Sequence, residues 1–215
     1  MVDLGARVEV EDDEASTRPV DARRSRRREE LLDAAIDAIR TLGPAATMEQ
    51  LANAGGVTKP ILYRHFVDRD GLIEAIAGRF SGALMGSLGS ALHVEQDARA
   101  ILVGTVEAYV AFLEDDPHLY GFLAQQPNPR SDHRSPIGPL VDLVAPQIAE
   151  VTRVRLEEAG QDPTCALPWA YGMVGLVHQA TQWWLRDRPM PRQEFVAHLT
   201  DLLWGGVSAS VGSPR

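Results

Sequence analysis

Apolar residues recur every three or four positions along most of this chain, the period of α-helices that each bury one face. Leu32, Ala35, Ile36, Ile39 and Leu42 form the first such stripe, and Gly43-Pro44 brings it to an end. Thr47-Met48-Glu49-Gln50 has the form of a capping box, in which a Thr hydroxyl and a Gln three residues on satisfy the open backbone groups of a helix start. It predicts a short second helix with Leu51 and Ala52 facing inward. Ala54-Gly55-Gly56-Val57 supplies a turn, and Thr58 caps a third helix with Pro60 in its first turn, where the missing N–H does no harm. Phe66 and Val67 end that helix. Asp68 caps a fourth, whose Leu72, Ile73, Ile76, Ala77 and Phe80 make a continuous apolar face.

Helical spacing continues beyond residue 80. Ile101, Val106, Tyr109, Val110 and Leu113 share a helix that stops at Asp115-Asp116-Pro117, and a short helix follows around Leu119 and Leu123. Residues 125–135, rich in Pro, Asn, Asp and Arg, read as a loop and the best candidate for a mobile one. Residues 140–159 are amphipathic and end at Gly160. Residues 163–186 form a long apolar helix, Pro189 and Pro191 interrupt it, and a last helix covers about 192–204. No useful strand alternation and no internal repeat occur. The expected fold is all-α with about nine helices.

The formal net charge of −9 seems to argue against DNA as a partner, but the charge is uneven. Residues 1–22 carry seven acids and two arginines, net −5, while residues 23–80 carry ten basic and eight acidic residues, net +2. A basic face on an acidic protein is therefore physically reasonable. The first segment, with Glu11-Asp12-Asp13-Glu14, has no period and reads as a disordered acidic tail at 1–22. A helix-turn-helix domain is expected at 23–68 and an effector-binding and dimerisation domain at 69–215. No apolar run approaches the roughly 20 residues needed to span a bilayer, and the N-terminus lacks the pattern of a secretory signal, so a cytoplasmic protein is expected. Cys165, the only cysteine, reads as a buried thiol. The six histidines are scattered, no phosphate loop or nucleophile elbow is present, and neither metal, cofactor nor enzyme activity is expected.

Two short helices about a Gly-containing turn, the second with cations and hydroxyls near its start, form the arrangement that enters the DNA major groove. Lys59 is placed to reach a base edge or phosphate, and Pro60 and Ile61 to meet a thymine methyl. Thr47, Thr58, Tyr63 and His65 suit phosphate oxygens, Arg64 suits either role, and Arg69 can clamp the backbone from the start of helix four. The run Arg23-Arg24-Ser25-Arg26-Arg27-Arg28 is either an arm reaching DNA or a solvated charge run. On spacing alone, an ordinary helical hairpin or a non-DNA-binding scaffold stays open.

The full pattern narrows this. Thr47, Leu51-Ala52, Ala54-Gly55-Gly56-Val57-Thr58, Leu62-Tyr63, His65-Phe66, Arg69 and Leu72 resemble the tetracycline-repressor (TetR) family of bacterial regulators over about residues 25–80. Arg69 stands where a lysine is commoner, and Gly55 where Ala usually precedes the glycine. The resemblance implies a three-helix DNA-binding head, a helical body that binds a ligand and dimerises, and a palindromic double-stranded operator. Gly172, Gly175, Trp184, Leu199, Leu202, Leu203 and Trp204 are the expected homodimer surface. Tyr109, Phe112, Tyr120, Trp169, Met173, His178, Gln182 and Trp183 are the expected pocket for a small apolar effector. The stretches Gly175-Leu176-Val177-His178, Trp183-Trp184-Leu185 and Leu203-Trp204-Gly205-Gly206-Val207-Ser208, with Pro189, resemble family members of actinobacteria that sense long-chain acyl-CoA. The expectation is a repressor released by such a ligand or by a drug-like one; the alternative is DNA binding without an effector, constitutive or protein-controlled.

Overall fold

The computed structural model describes residues 14–92, 97–126 and 138–211. Among them the backbone forms α1 (Glu14–Leu42), α2 (Met48–Ala54), α3 (Lys59–Phe66), α4 (Arg69–Leu92), α5 (Ala98–Asp115), α6 (Pro117–Ala124), α7 (Gly138–Glu158), a 3₁₀ turn (Pro163–Cys165), α8 (Ala166–Asp187) and α9 (Arg192–Val211). The chain is all-α, as its periodicity predicts. One boundary is corrected. The first helix starts at Glu14, so the tail expected over 1–22 gives way to helix by residue 14, and its first thirteen residues lie outside those described. Lengthening a helix that is already nucleated fixes one residue per new hydrogen bond, so a polar segment without an apolar stripe can still extend it. Residues 127–135 of the expected loop also lie outside the described residues.

Two compact units make up the chain, Met1–Ala75 and Ile76–Arg215. The division falls inside α4 rather than at Asp68, because the start of α4 is tied to the end of α3. Asp68 Oδ1 accepts the Gly71 N–H at 2.8 Å, and a Cβ on Gly71 would lie 2.0 Å from the Phe66 carbonyl oxygen. Only glycine tolerates so close an approach without movement of the backbone. Between them, Val67 takes φ +72°, a strained value for a β-branched residue, while its side chain is almost fully exposed.

In the first unit α1 packs on α2 and α3, and Leu31, Leu32, Ile36, Ile39, Leu51, Leu62 and Phe66 are buried. The capping box forms as read: Thr47 Oγ1 accepts the Gln50 N–H at 3.3 Å, and Gln50 Oε1 accepts the Thr47 N–H at 2.8 Å. The turn after α2 needs positive φ at Gly56, +67°, and Gly55 keeps an ordinary φ. Thr58 stands at the N-cap of α3 with extended backbone, but its hydroxyl makes no cap hydrogen bond. Its carbonyl accepts from Leu62 N–H at 3.0 Å instead.

In the second unit α7 lies along α8 and α5 along α9. Val110, Leu113, Phe122, Ala145, Ala170 and Trp184 are buried there. Cys165 is half-buried, not fully enclosed, with Sγ 3.6 Å from the Asp162 carbonyl oxygen.

Candidate nucleic-acid interface and ligand cavity

α3 is eight residues long and buries Leu62 and Phe66, which fixes its rotation. With those two inward, Thr58, Lys59, Pro60, Ile61 and Arg64 are exposed and Tyr63 half-exposed. The Lys59 ammonium rests 5.7 Å from the centre of the Tyr63 ring, one turn along, a cation–π contact that gathers two donors on one patch. Arg69 is exposed at the start of α4, with Nη1 3.8 Å from Asp70.

Two expected DNA ligands are differently engaged. The Thr47 hydroxyl donates to Gln50 Oε1 at 3.1 Å, so its proton serves the capping box before any phosphate. His65 is half-buried with Nδ1 enclosed and unpartnered, and burial, then Arg64, Arg24, Arg27 and Arg28, hold its pKa below the ordinary value. It is neutral at neutral pH and contributes no charge to a phosphate contact.

The basic run lies on α1 and is helical. Arg27 Nη2 donates to the Gly55 carbonyl at 3.0 Å and Nη1 to Glu30 at 2.9 Å, while the Arg28 guanidinium lies 4.7 Å above the Phe66 ring. Both arginines pin α1 to the turn and to α3. Arg23, Arg24 and Arg26 are exposed.

The second unit carries a half-open cavity of about 480 Å³ whose walls are almost wholly apolar. Its lining includes Leu88 on α4; Ile101, Leu102, Thr105, Val106 and Tyr109 on α5; Val144, Ile148, Val151, Thr152, Arg155 and Leu156 on α7; Trp169, Met173, Val174 and Val177 on α8; and Leu203, Trp204 and Val207 on α9. Of the eight residues expected there, Tyr109, Trp169 and Met173 line it. The other five do not. Phe112 meets Phe80 at 5.0 Å between ring centres, and Tyr120 stacks on Phe80 at 6.5 Å. Trp183 is 40% exposed. His178 and Gln182 belong to a polar cluster beside the cavity. The apolar stripes of α5 and α7 are legible as helix faces but read as core rather than cavity wall, because the pocket is expected among aromatic residues.

In that cluster His178 is fully buried, with Tyr109 Oη at Nδ1 and both the Gln182 amide nitrogen and Tyr120 Oη at Nε2. With Gln182 donating to Nε2, the neutral ring carries its proton on Nδ1 and donates to Tyr109. Burial lowers the imidazole pKa to about 4 and raises both phenols, Tyr120 to about 12. The unfolded chain regains an ordinary histidine near 6.5. Between pH 6.5 and 4 the unfolded state thus binds the extra proton. Stability is complete above 6.5 and falls as the pH drops toward 4, by about 2 kcal/mol from pH 7.5 to 5. Urea unfolding at the two pH values checks this. His178→Gln should flatten the difference; an equal slope in the variant would assign it to other groups.

The expected dimer residues also divide. Trp184, Leu199 and Leu203 are buried inside the protomer and Trp204 lines the cavity, so these four are core and wall. Leu202 is 62% exposed, and on α8 Leu167, Tyr171, Leu176 and Trp183 are exposed beside Gly172 and Gly175.

Residues 31–76 match the family model described as bacterial regulatory proteins, tetR family, and residues 87–214 one described as tetracyclin repressor-like, C-terminal domain. An uncharacterized HTH-type transcriptional regulator of Mycobacterium tuberculosis, Rv0472c, is 33% identical over 186 residues, covering 86% of this chain and 79% of its own. The HTH-type transcriptional activator FasR of Mycolicibacterium smegmatis is 29% identical over 199 residues, covering 86% and 84%. Among solved structures, the fatty acid degradation regulator FadR from Bacillus halodurans superposes with a TM-score of 0.63 at 19% identity, over 84% of this chain and 95% of its own. A tetR-family regulator from Streptomyces coelicolor gives 0.63 at 22%, over 86% and 83%. At those identities the structural likeness speaks for the fold.

Proposed function

Because this chain belongs to the tetR family of bacterial regulatory proteins, which are DNA-binding helix-turn-helix transcriptional regulators and not enzymes, we propose that it is a cytoplasmic homodimer whose hold on a palindromic operator is set by an apolar effector in the cavity of its second unit. The carrying observation is the cavity itself, about 480 Å³ and lined by α4, α5, α7, α8 and α9. Its volume lies within the usual range for small-molecule sites. The exposed patch of Thr58, Lys59, Pro60, Ile61, Tyr63 and Arg64, with Arg69 beyond it, reads the major groove. Thr47, exposed at the N-cap of α2, and His65, half-buried on α3, are further candidates for phosphate contacts. A single α3 makes too few contacts for useful specificity, so two copies read half-sites roughly 34–36 Å apart. The exposed apolar residues of α8 and α9 supply the two-fold interface, with Gly172 and Gly175 allowing close approach.

α4 supports a link between ligand and operator, since its first turns belong to the DNA-binding unit and its Leu88 lines the cavity. An effector acts only through its different affinity for the bound and released arrangements. The primary reading is a repressor that the effector releases. A relative bearing the name of an activator, FasR, favours the second reading, in which the effector strengthens binding. No helix among the described residues is long and apolar enough to cross a membrane, which agrees with a regulator that meets DNA in the cytoplasm.

A gel-shift titration on the DNA upstream of the protein's own coding sequence, with and without long-chain acyl-CoA or hydrophobic drugs, tests both parts. Sequence-specific binding that weakens on ligand addition is expected. Strengthening would select the second reading, and absence of specific binding to that DNA or to any sequence selected from a random pool would remove the regulator reading.

A further inference from the structure

Arg23 and Arg24 are cations that the packing of the first unit does not use. Both are exposed, and among the described residues neither has an acidic partner, nor has Arg64 on α3. The second unit is different: Arg99, Arg153, Arg155, Arg186, Arg188 and Arg192 each pair with a carboxylate. On a chain of net charge −9, cations left uncompensated in one neighbourhood make a local positive field there.

Helix geometry sets where these two side chains stand. Arg27 and Arg28 fasten α1 to the turn after α2 and to the Phe66 ring, and Arg23 and Arg24 each come four residues before one of them, one turn back along the same side of the helix. Leu31 is the first residue of α1 in the core, so the Arg23 and Arg24 turn projects past the packed part of the helix. It stays close to α3 nonetheless, since the Arg24 charge still acts on the His65 ring together with Arg64. Arg26 lies on the other side of α1, in the row of Glu29, Glu30 and Asp33.

We propose that Arg23 and Arg24 grip the DNA backbone that flanks the segment read by α3. This rests on the regulator reading above and adds to it a contact outside the helix-turn-helix hairpin. Each guanidinium offers forked donors that match a phosphate. Successive cations along α1, continuous with the exposed face of α3, suit a polyanion of repeating charge rather than one small anion. Such contacts hold the protein on the duplex and set its register without reading a base.

The full-length protein, its Arg23→Gln/Arg24→Gln double variant and Arg26→Gln are compared by fluorescence anisotropy at several salt concentrations. Three labelled duplexes are used: the preferred site selected from a random pool with long flanks, the same site trimmed of its flanks, and a scrambled long duplex. On both long duplexes the double variant should bind at least tenfold more weakly than wild type, and its dependence of log K on log salt should fall by about two units per protomer. On the trimmed site the two proteins should bind alike, which also confirms that the variant is folded. Arg26→Gln should stay within twofold of wild type throughout. An unchanged salt dependence in the double variant would overturn the proposal, as would an equal loss in Arg26→Gln, which reduces the effect to net charge, or an equal loss on the trimmed site, which moves the contact off the flanks. If wild type binds the selected site and the double variant matches it, this proposal falls and the regulator reading stands. Failure of wild type to bind any of the three duplexes removes the regulator reading and this one with it.

Discussion

Replacing Lys59 and Tyr63 together by alanine should lower operator affinity at least a hundredfold while leaving thermal unfolding almost unchanged. Both side chains lie on the exposed part of α3, with the Lys59 ammonium held 5.7 Å from the Tyr63 ring. The inward anchors, Leu62 and Phe66, are untouched, so the helix keeps its place. A good base contact contributes about 1–3 kcal/mol, and a dimer carries each substitution twice. Loss of one phosphate-neutralising cation per half-site should also reduce the dependence of log K on log salt by about one unit per protomer. Fluorescence anisotropy on an operator duplex at several salt concentrations gives both numbers. A variant that binds within threefold of wild type at every salt would sink the assignment of α3 as the reading helix.

The second large effect is expected from a neighbouring pair with opposite fates. Trp184→Ala should destabilise the protein by about 3–5 kcal/mol, the range for removal of a buried large aromatic side chain. The ring is 1% exposed, lies 5.1 Å from Phe195 at 8° between planes, and donates Nε1–H to the Met190 carbonyl at 2.9 Å. The Arg188 guanidinium covers it at 4.1 Å and pairs with Glu114. Its loss removes the post that fixes the turn from α8 into α9. At this chain length the melting temperature should fall by roughly 10 °C. Trp183→Ala, one residue earlier and 40% exposed, should barely alter the stability of the protomer and should instead weaken self-association, read by sedimentation. Equal destabilisation by the two would show that Trp183 is also core.

That pair shows how much of the molecule is legible in the sequence. The head reads well because its signals are local: the Thr47 to Gln50 box, the glycine turn and the Leu62–Phe66 spacing each depend on residues within one or two turns. The start of α1 does not, since helix extension into a polar segment leaves no apolar stripe to see. Neither does the cavity. Adjacent residues on a helix point about 100° apart, so Trp183 and Trp184 cannot both face inward, and only the packing of α7, α8 and α9 decides which does. The same ambiguity placed Phe112, Tyr120, His178 and Gln182 in a pocket they only adjoin. Arg155 was invisible as a lining residue because a lone arginine on an amphipathic helix normally marks the solvent side.

The boundary inside α4 bears on how such proteins diversify. Where two domains meet through a loop, recombination can exchange one for the other at little risk, because a change of a few residues is absorbed by the loop. Here the seam after Ala75 lies in unbroken helix. A crossover that adds or removes a single residue there shifts the phase of α4 by about 100° and its length by about 1.5 Å. Viable recombinants are therefore expected from crossovers that keep helical phase or from point changes within each half, and an engineered chimera must be spliced in register.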